Sequence, residues 1–354
     1  MTPTGKIRVL LVDDSLVTRR LFAHLLGSVP DFELVGEAGD GEQAIAMVDK
    51  LRPDVVSMDI EMPRINGIEA TRQIMEKFPV PVVIVSSLYS PGETGLAMEV
   101  LAAGAVAVIP KPAGPGNADH QKHAAQYLRT MRAMAGVKVV RRKAKINALP
   151  DQSGTDDQQA LPKGNYGLVV IGASAGGPEV VRKILNQLPA DFPLPVAIVQ
   201  HIDSNFALGF AQWLASTAKI RIEMLTGDAP LKPGHVYLSI RPLHLVVKSL
   251  HTIGLSDHDA VNGLKPSVAS LFKSAGEVFG GRLIAVMLSG MGSDGAAEMY
   301  QLRQLGAYNI IQDEPSCLVY GMPGEAARLG AHHVALPPDK IASHIMNLVI
   351  NSTI

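Results

Sequence analysis

The chain of 354 residues carries 33 acidic and 32 basic side chains, so its formal net charge at pH 7 is −1. This balance gives no overall field that would recruit nucleic acid or a membrane surface, and the single cysteine, Cys317, excludes an internal disulfide framework and fits a reducing compartment. No apolar run reaches the length of a membrane span and the first residues lack a signal core, so we expect a cytoplasmic protein of two or three domains without direct membrane insertion.

The first third of the chain alternates apolar runs with amphipathic stretches. The apolar runs predict buried strands at Ile7–Val12, Phe32–Val35, Val55–Met58, Val82–Val85 and Ala105–Ile109. Between them apolar residues recur at every fourth position, as at Val17, Leu21 and Leu25, which predicts helices with one buried face. This alternation predicts an α/β domain with a doubly wound parallel sheet.

Charged residues follow three of these predicted strands. Asp13 and Asp14 follow the first strand, Asp59 the third and Lys111 the fifth. Because the carboxyl ends of parallel strands meet at one edge of a sheet, we expect these side chains to converge. Three carboxylates form a site for a hard divalent cation, which we expect to be Mg2+, and a neighbouring lysine can pair with a phosphoryl oxygen. The pattern therefore predicts a site that transfers phosphate to a carboxylate.

With Ser86, which follows the fourth predicted strand, these residues resemble the receiver domain of two-component response regulators, a flavodoxin-like fold. The resemblance implies phosphorylation on Asp59, Mg2+ binding by Asp13, Asp14, Asp59 and the backbone carbonyl of Glu61, and phosphoryl binding by Ser86 and Lys111. Receivers often carry an aromatic residue three positions before the lysine; Val108 stands there, so an aromatic rotamer switch is not expected. Any one of these residues alone is better explained as a solvated strand end or a helix cap, so the inference depends on the joint pattern.

The sequence changes character after Leu128. Residues 137–163 mix basic, acidic and small polar side chains with little periodicity, which predicts a linker. We therefore divide the chain into a receiver domain at 1–128, a linker at 129–164 and a catalytic domain at 165–354. The linker contains the basic run Arg141–Lys145, which is more typical of a solvated segment than of a nucleic-acid contact.

The second domain again alternates strand and helix patterns. Apolar runs predict strands at Leu168–Ile171, Val196–Val199 and Leu283–Leu288. Helical patterns follow at Glu179–Leu188, Phe206–Ala215, Val268–Phe279 and Ala296–Leu305. We expect a second α/β unit with a Rossmann-like parallel sheet.

A glycine-rich turn, Gly172-Ala173-Ser174-Ala175-Gly176, follows the first strand of this domain and precedes a helix. In that context Gly-x-Ser-x-Gly projects a serine from a sharp turn, and the helix N-terminus favours developing negative charge. Such turns also bind dinucleotide phosphates, but Ser174 replaces the second glycine of that fingerprint. The turn therefore favours a serine nucleophile without deciding the question alone.

A nucleophilic serine needs a base, and the base needs an orienting carboxylate. His201 follows the second predicted strand and Asp294 follows the third, so we expect Ser174, His201 and Asp294 to meet at one edge of the sheet. The chain order Ser, His, Asp differs from the Ser, Asp, His order of α/β-hydrolases. Alone, His201 is more often an ordinary strand-end histidine, and Asp294 could equally cap a helix starting near Gly295.

These segments, with Gln312-Asp313-Glu314 and Tyr320-Gly321-Met322-Pro323, resemble the catalytic domain of CheB-type chemotaxis protein-glutamate methylesterases. The resemblance implies a phosphorylation-activated serine hydrolase that removes glutamate methyl esters from methyl-accepting chemotaxis receptors, deamidates receptor glutamines and serves sensory adaptation. It implies a chemotaxis histidine kinase as phosphodonor and no cofactor for hydrolysis. It also implies Ser174, His201 and Asp294 as the catalytic triad and the backbone N–H of Met291 as oxyanion donor.

Three places depart from that family. Ala175 stands where threonine is usual, and Leu264-Lys265 replaces a histidine or arginine before Pro-Ser-Val. A glycine-containing loop before His-Leu reads Ser239-Ile240-Arg241-Pro242-Leu243 here, ahead of His244-Leu245. These changes leave the triad intact and bear on substrate preference. Two other functions remain open, a DNA-binding response regulator and a receiver-controlled non-catalytic adaptor. The absence of an evident helix-turn-helix pattern argues against the first, and the intact triad argues against the second.

Overall fold

The computed structural model describes residues 5–86, 94–112, 114, 116–137, 139 and 165–350. They form two compact units, which lie within Met1–Arg142 and Lys143–Ile354. Within the described ranges, no helix combines the length and the apolarity needed to cross a membrane. Most of the predicted linker at 129–164, including the basic run, lies outside the described residues.

The first unit alternates strands and helices. Its elements are β1 (Ile7–Val12), α1 (Leu16–Gly27), β2 (Phe32–Ala38), α2 (Gly41–Leu51), β3 (Val55–Met58), α3 (Gly67–Lys77), β4 (Val82–Ser86), α4 (Thr94–Ala103), β5 (Ala107–Pro110) and α5 (His120–Ala135). The strands pair in parallel in the order β2-β1-β3-β4-β5. The predicted doubly wound parallel sheet is confirmed.

The buried face of α1 differs from the predicted one. The helix begins after Ser15, whose side chain accepts the Thr18 N–H, and it buries Phe22, Leu25 and Leu26. Val17 is 79% exposed, so its assignment to the buried stripe is wrong. The stripe that faces the sheet follows the helical period through Phe22, Leu25 and Leu26, and Val17 falls outside it.

The last helix of the first unit, α5, continues past the predicted domain boundary at residue 128. Tyr127 and Met131 are fully buried, and Tyr127 stacks on Phe22 of α1 with 4.9 Å between the ring centroids. Because buried residues continue to Met131, the helix is part of the first unit as far as Ala135.

The second unit contains a parallel sheet and a small antiparallel one. Its elements are β6 (Leu168–Ala173), α6 (Gly177–Leu185), β7 (Val196–Gln200), α7 (Ser204–Thr217), β8 (Arg221–Leu225), β9 (Ala229–Pro230), β10 (His235–Ser239), β11 (His244–Ser249), β12 (Thr252–Ser256), α8 (Val268–Phe279), β13 (Leu283–Met287), α9 (Ala296–Gln304), β14 (Tyr308–Gln312), a 3-10 helix (Glu314–Ser316), α10 (Met322–Arg328), β15 (Val334–Leu336) and α11 (Pro338–Ile350). The parallel sheet has the order β15-β14-β13-β6-β7-β10-β8, and the antiparallel sheet the order β11-β12-β9. The predicted parallel sheet is confirmed, whereas the antiparallel sheet is not predicted by the sequence.

The helix α8 packs against both sheets of this unit. Its Leu271 and Phe272 are fully buried in one cluster with Val170 of β6 and Leu245 and Val247 of β11. Fully burying a leucine or phenylalanine side chain contributes about 1.5–3 kcal/mol. The apolar contacts with the antiparallel sheet therefore help to hold α8 against the parallel sheet.

The start of α8 lies directly on the end of β6. A Cβ added at Gly172 would lie 2.4 Å from Cγ1 of Val268, and a Cβ at Gly295 would lie at the same distance from that atom. Glycine at both positions is what admits the Val268 side chain.

The strand β6 marks the topological switch point of the parallel sheet. Its neighbours are β7 on one side and β13 on the other, so the chain leaves in one direction and returns to the opposite flank. In open α/β sheets, sites form outside the carboxyl ends of the strands at such a point.

Candidate active site and phosphorylation site

The serine turn joins β6 to α6 at the switch point. Ser174 follows the last residue of β6 and is partly buried. Gly176 has φ +77°, a conformation that glycine adopts without strain, and the Gly177 N–H donates to the Ser174 carbonyl at 2.8 Å. The turn thus has the predicted strand-to-helix geometry, with the serine between the two elements.

His201 follows the last residue of the adjacent strand β7, and its N–H donates to the Ala173 carbonyl at 2.8 Å. Its Nε2 lies 2.9 Å from Oδ2 of Asp294. An ionised carboxylate only accepts hydrogen bonds, so Nε2 carries the proton and Nδ1 is left as the basic nitrogen. The structure therefore joins two of the three predicted catalytic residues.

Ser174 Oγ forms no hydrogen bond to a protein group within the described part of the chain. Catalytic hydrogen bonds are often long in the absence of substrate and shorten only in the complex. Ser174 and His201 nevertheless follow neighbouring strands, which pair from Val169 and Val196 up to Ala173 and Gln200.

The Asp294 carboxylate lies at the N-terminus of α8. Its Oδ1 accepts the Ser267 hydroxyl at 2.8 Å and the Ala269 N–H at 3.3 Å, and its Oδ2 accepts the Val268 N–H at 2.6 Å. Burial alone would raise the pKa of Asp294, but its hydrogen bond and charge interaction with His201, with further bonds from Ser267 and Val268, hold it below its usual range. A carboxylate held in this way stays ionised and can stabilise a histidine cation.

The role of Asp294 as a helix cap differs from the one considered in the sequence. The helix α9 begins after Gly295 without any side-chain cap, and Asp294 caps α8 instead. Ser267 is the N-cap residue of α8. It is a site residue that sequence reasoning missed. Its position directly before an apolar helical pattern is the signal for an N-cap.

The loop after β13 lies against the serine turn. A Cβ at Gly290 would lie 2.7 Å from the Ser174 Cβ, and the backbone N–H of Met291 donates to no group among the residues that the structure describes. An N–H without an internal partner is available to a developing oxyanion.

Two buried side chains hold this arrangement and are also missed by sequence reasoning. The Ser289 hydroxyl donates to the Ala175 carbonyl at 2.8 Å and accepts the Val319 N–H at 3.0 Å. Gln200 Nε2 donates to the carbonyls of Ser174 at 2.8 Å and His201 at 2.9 Å. Both tie backbone segments that are distant in sequence, which no local pattern reveals.

The first unit gathers its acidic residues at the carboxyl edge of its sheet. Lys111 Nζ lies 2.8 Å from Oδ2 of Asp13 and 2.7 Å from Oδ2 of Asp59. Burial raises the pKa of Asp59 to about 6, aided by the charge of Asp13 and opposed by Lys111. A cation bound beside Asp59, in addition to Lys111, would therefore lower the pKa of Asp59 and favour its ionised form.

The acidic cluster has the donor set of a divalent cation site. Asp13, Asp14 and Asp59 each place one carboxylate oxygen within 4.8 Å of the others, and hard cations prefer oxygen ligands. A groove of about 590 Å³ lies beside the cluster, with Asp14 and Glu61 in its wall. The residues present fit Mg2+.

Ser86 lies where the sequence places it, at the end of β4, and it is buried. Its carbonyl accepts the Lys111 N–H at 2.8 Å, so the two predicted phosphoryl-binding residues are neighbours across β4 and β5. Residues 87–93, which follow Ser86, lie outside the described ranges.

Comparison with known proteins identifies relatives of both units. The family model for CheB methylesterase matches residues 169–345, and that for the response regulator receiver domain matches residues 9–121. A protein-glutamate methylesterase/protein-glutamine glutaminase of Geobacter metallireducens is 42% identical over 351 residues, covering 97% of this chain and 99% of the relative. One of Nitrosospira multiformis is 42% identical over 345 residues, covering 97% of each. The crystal structure of the Thermotoga maritima CheB methylesterase catalytic domain is 33% identical with a TM-score of 0.51, covering 52% of this chain and 99% of that chain.

Proposed function

This chain belongs to the CheB methylesterase family, and from that membership we propose that it hydrolyses glutamate methyl esters on methyl-accepting chemotaxis receptors and deamidates receptor glutamines. The observation that carries the proposal is the 2.9 Å contact between His201 and Asp294 beside the serine turn. This activity serves sensory adaptation in the cytoplasm. The domain division is a receiver, a linker and a catalytic domain from residue 165, with the receiver extended to Ala135.

In the proposed reaction His201 Nδ1 takes the proton of Ser174 as Oγ attacks the ester carbonyl carbon. The Met291 N–H stabilises the oxyanion of the tetrahedral intermediate, and Asp294 stabilises the His201 cation. As the intermediate collapses, the cation gives its proton to the leaving methoxy oxygen, which departs as methanol, or to the leaving amide nitrogen of glutamine, which departs as ammonia. Water then attacks the acyl-enzyme with His201 again as base, which releases glutamate. General-base assistance contributes about 100- to 10,000-fold, and one oxyanion donor about 100-fold or more.

We also propose that Asp59 is the phosphoacceptor and a chemotaxis histidine kinase the phosphodonor. Asp13, Asp14, Asp59 and the Glu61 carbonyl would hold Mg2+, which when bound offsets the charge of the incoming phosphate. Lys111 pairs with the phosphoryl group and Ser86 donates a hydrogen bond to it. Phosphorylation of Asp59 then raises the activity of the catalytic unit.

The proposal is tested by methanol release from a methylated receptor. Ser174→Ala abolishes release while the fold survives, because no other group supplies the nucleophile. Ser216→Ala is the matched control, since Ser216 is exposed and its hydroxyl donates to the Trp213 carbonyl near the end of α7. Turnover by Ser174→Ala close to wild type would refute the nucleophile. Background release by the wild-type chain would favour a non-catalytic adaptor, and a gel shift at physiological salt would favour a DNA-binding regulator.

A further inference from the structure

All four N–H groups at the start of α8 have partners, and one partner is a side chain of the antiparallel sheet. The first N–H groups of a helix lack partners within the helix. Here Ser267 donates to His244 Nδ1 at 3.2 Å, Val268 and Ala269 donate to Asp294, and Ser270 donates to the Ser267 hydroxyl at 3.4 Å. The Ser267 N–H therefore depends on a histidine of the antiparallel sheet.

The hydrogen bonds of His244 fix its protonation state. Its Nδ1 accepts the Ser267 N–H, and its Nε2 lies 3.1 Å from the Asp259 carbonyl, which can only accept. The ring is therefore neutral with its proton on Nε2. Burial lowers the pKa of His244, with His258 and Lys265 adding to the effect and the Asp259 carbonyl and Asp294 opposing it.

The strand β11, which begins at His244, contacts α8 at two points whose spacing is about the same along the strand and along the helix. Three residues beyond His244, the Val247 N–H donates to the Ser274 hydroxyl of α8 at 3.1 Å. Three strand residues span about 10 Å, and the seven helix residues from Ser267 to Ser274 span about 10.5 Å. The strand thus holds α8 at both ends of its first two turns.

A second histidine covers the first. The rings of His244 and His258 stack with centroids 4.0 Å apart and planes 3° apart. His258 is exposed, and its Nε2 lies 3.3 Å from the hydroxyl of Ser270, in the first turn of α8. The stack keeps water from His244, so its bond to Ser267 is shielded from competition.

We propose that His244 is a positioning residue of the hydrolase, which fixes the first turn of α8 and thereby aims the Asp294 carboxylate at His201. The inference rests on the proposed function. Among the described residues, His244 forms no hydrogen bond with the side chains of Ser174, His201 or Asp294. His244 acts on the site through its hydrogen bond to the Ser267 backbone. The position of that backbone sets the positions of the Val268 and Ala269 N–H groups, which donate to Asp294.

The test compares two replacements of His244 in the full chain. Asn places a polar atom near the Nδ1 position and can accept the Ser267 N–H, whereas Gln reaches the Nε2 position and leaves that N–H unpaired. We expect His244→Gln to lower kcat by about 10- to 100-fold, the scale of a displaced catalytic group, with KM within about twofold. His244→Asn should recover most of kcat. Because each variant loses one buried hydrogen bond, thermal unfolding should change similarly in both.

The matched control is His333→Gln. His333 Nδ1 also accepts a backbone N–H, from Asn309 at 3.0 Å, and its ring also stacks on a neighbour, Tyr308. His333 has no hydrogen bond to the N-terminus of α8 within the described residues, so the kcat of the His333→Gln variant should equal that of the wild type. Equal losses of kcat in His244→Gln and His244→Asn, or a wild-type kcat in His244→Gln, would overturn the positioning role.

An NMR measurement separates failure of this role from failure of the proposed function. The His201 Nε2 proton should give a downfield resonance that is absent in His201→Gln, without any substrate. We expect this resonance to shift in His244→Gln and not in His333→Gln. If the wild-type chain releases no methanol, the proposed function fails, yet the shift still supports positioning; an unchanged resonance refutes positioning whatever the activity.

Discussion

The Asp294 carboxylate accepts four hydrogen bonds, two at each oxygen. The Val268 and Ala269 N–H groups can only donate, whereas the Ser267 hydroxyl and the His201 ring nitrogen can also accept. An amide in its place must therefore direct its NH2 group at a donor. If that group faces His201, the ring takes the tautomer with its proton on Nδ1 and loses its basic nitrogen.

Asp294→Asn should accordingly lower kcat by about 10,000-fold, the loss found when a triad histidine is held in the wrong tautomer. Methanol release measures the effect, and circular dichroism checks the fold. Asp203→Asn is the control, since that residue caps α7 at the end of another strand connection. A loss below tenfold would show that Asp294 does not set the tautomer.

The raised pKa of Asp59, about 6 against an ordinary value of 3.8, has a consequence for stability in metal-free protein. Between these values the folded state binds more protons than the unfolded state, so stability falls as pH rises from about 4 to 6. The shift corresponds to about 3 kcal/mol at most. Asp59→Asn should gain stability over wild type across this window in EDTA, as measured by urea unfolding. Mg2+ should reduce the difference, and a difference independent of pH would contradict the assignment.

At the residue scale the sequence predicts positions well and partners poorly. Ser174 and His201 lie at neighbouring strand ends as expected, because apolar runs reveal where buried strands stop. The contacts of Asp294 with Ser267 and Val268 join residues that are 27 and 26 positions apart, respectively. No periodicity reports which helix N-terminus faces which carboxylate.

Secondary-structure elements with a strong apolar period agree with the sequence most closely. The helix α8 has the predicted bounds, Val268–Phe279, because its apolar face is continuous and a serine cap precedes it. The strands β9, β11 and β12 are not predicted, since they are short and partly exposed, and β11 packs against α8. That packing joins residues that are distant in sequence, and it supports α8, whose first N–H groups bind the Asp294 carboxylate.

The turn that carries Ser174 depends on Gly176, and the chain supplies a matched comparison. Gly176 and Gly263 both have φ +77°, but a Cβ at Gly176 would lie 2.5 Å from the Leu318 Cβ, whereas a Cβ at Gly263 meets nothing within 4 Å. Gly263→Ala should cost about 1–2 kcal/mol from backbone strain alone. Gly176→Ala should cost about 1–3 kcal/mol more from overpacking and should also lower kcat. Equal losses of unfolding free energy in denaturant would refute the steric argument.

For the whole molecule, the order of the two units carries the regulatory proposal. An allosteric coupling of about 1–3 kcal/mol corresponds to about 5- to 150-fold, and acetyl phosphate with Mg2+ should raise methanol release within that range. Asp59→Asn should not respond, whereas Asp49→Asn, an exposed aspartate on α2, should respond as wild type does. Hydrolysis that is unchanged by acetyl phosphate would end the proposal.

Deleting residues 1–142 should raise the basal activity if the unphosphorylated receiver restrains the catalytic unit. The expected rate is close to that of the phosphorylated full chain, since both lack that restraint. Comparing the methanol release of the two proteins at equal concentration tests this. A truncated protein with the basal rate of the unphosphorylated chain would favour another route of control.

The sequence predicts the whole-molecule organisation in outline because each domain has its own strand–helix alternation and its own set of strand-end residues. The boundary at residue 128 is too early, since Met131 lies on the buried face of α5 beyond the point where the pattern weakens. Regulation is not readable from periodicity, because the control of one folded unit by another leaves no local repeat.

The Val268 side chain fills the space between Gly172 and Gly295, which limits the side chains that these positions can carry. Val268→Ala removes the two methyl groups that a Cβ at Gly172 would meet at 2.4 and 2.9 Å. Gly172→Ala should therefore be tolerated better together with Val268→Ala than alone, where it would push β6 away from α8. Gly295 has φ +83°, which keeps it glycine, so among related chains we expect positions 172 and 268 to vary together.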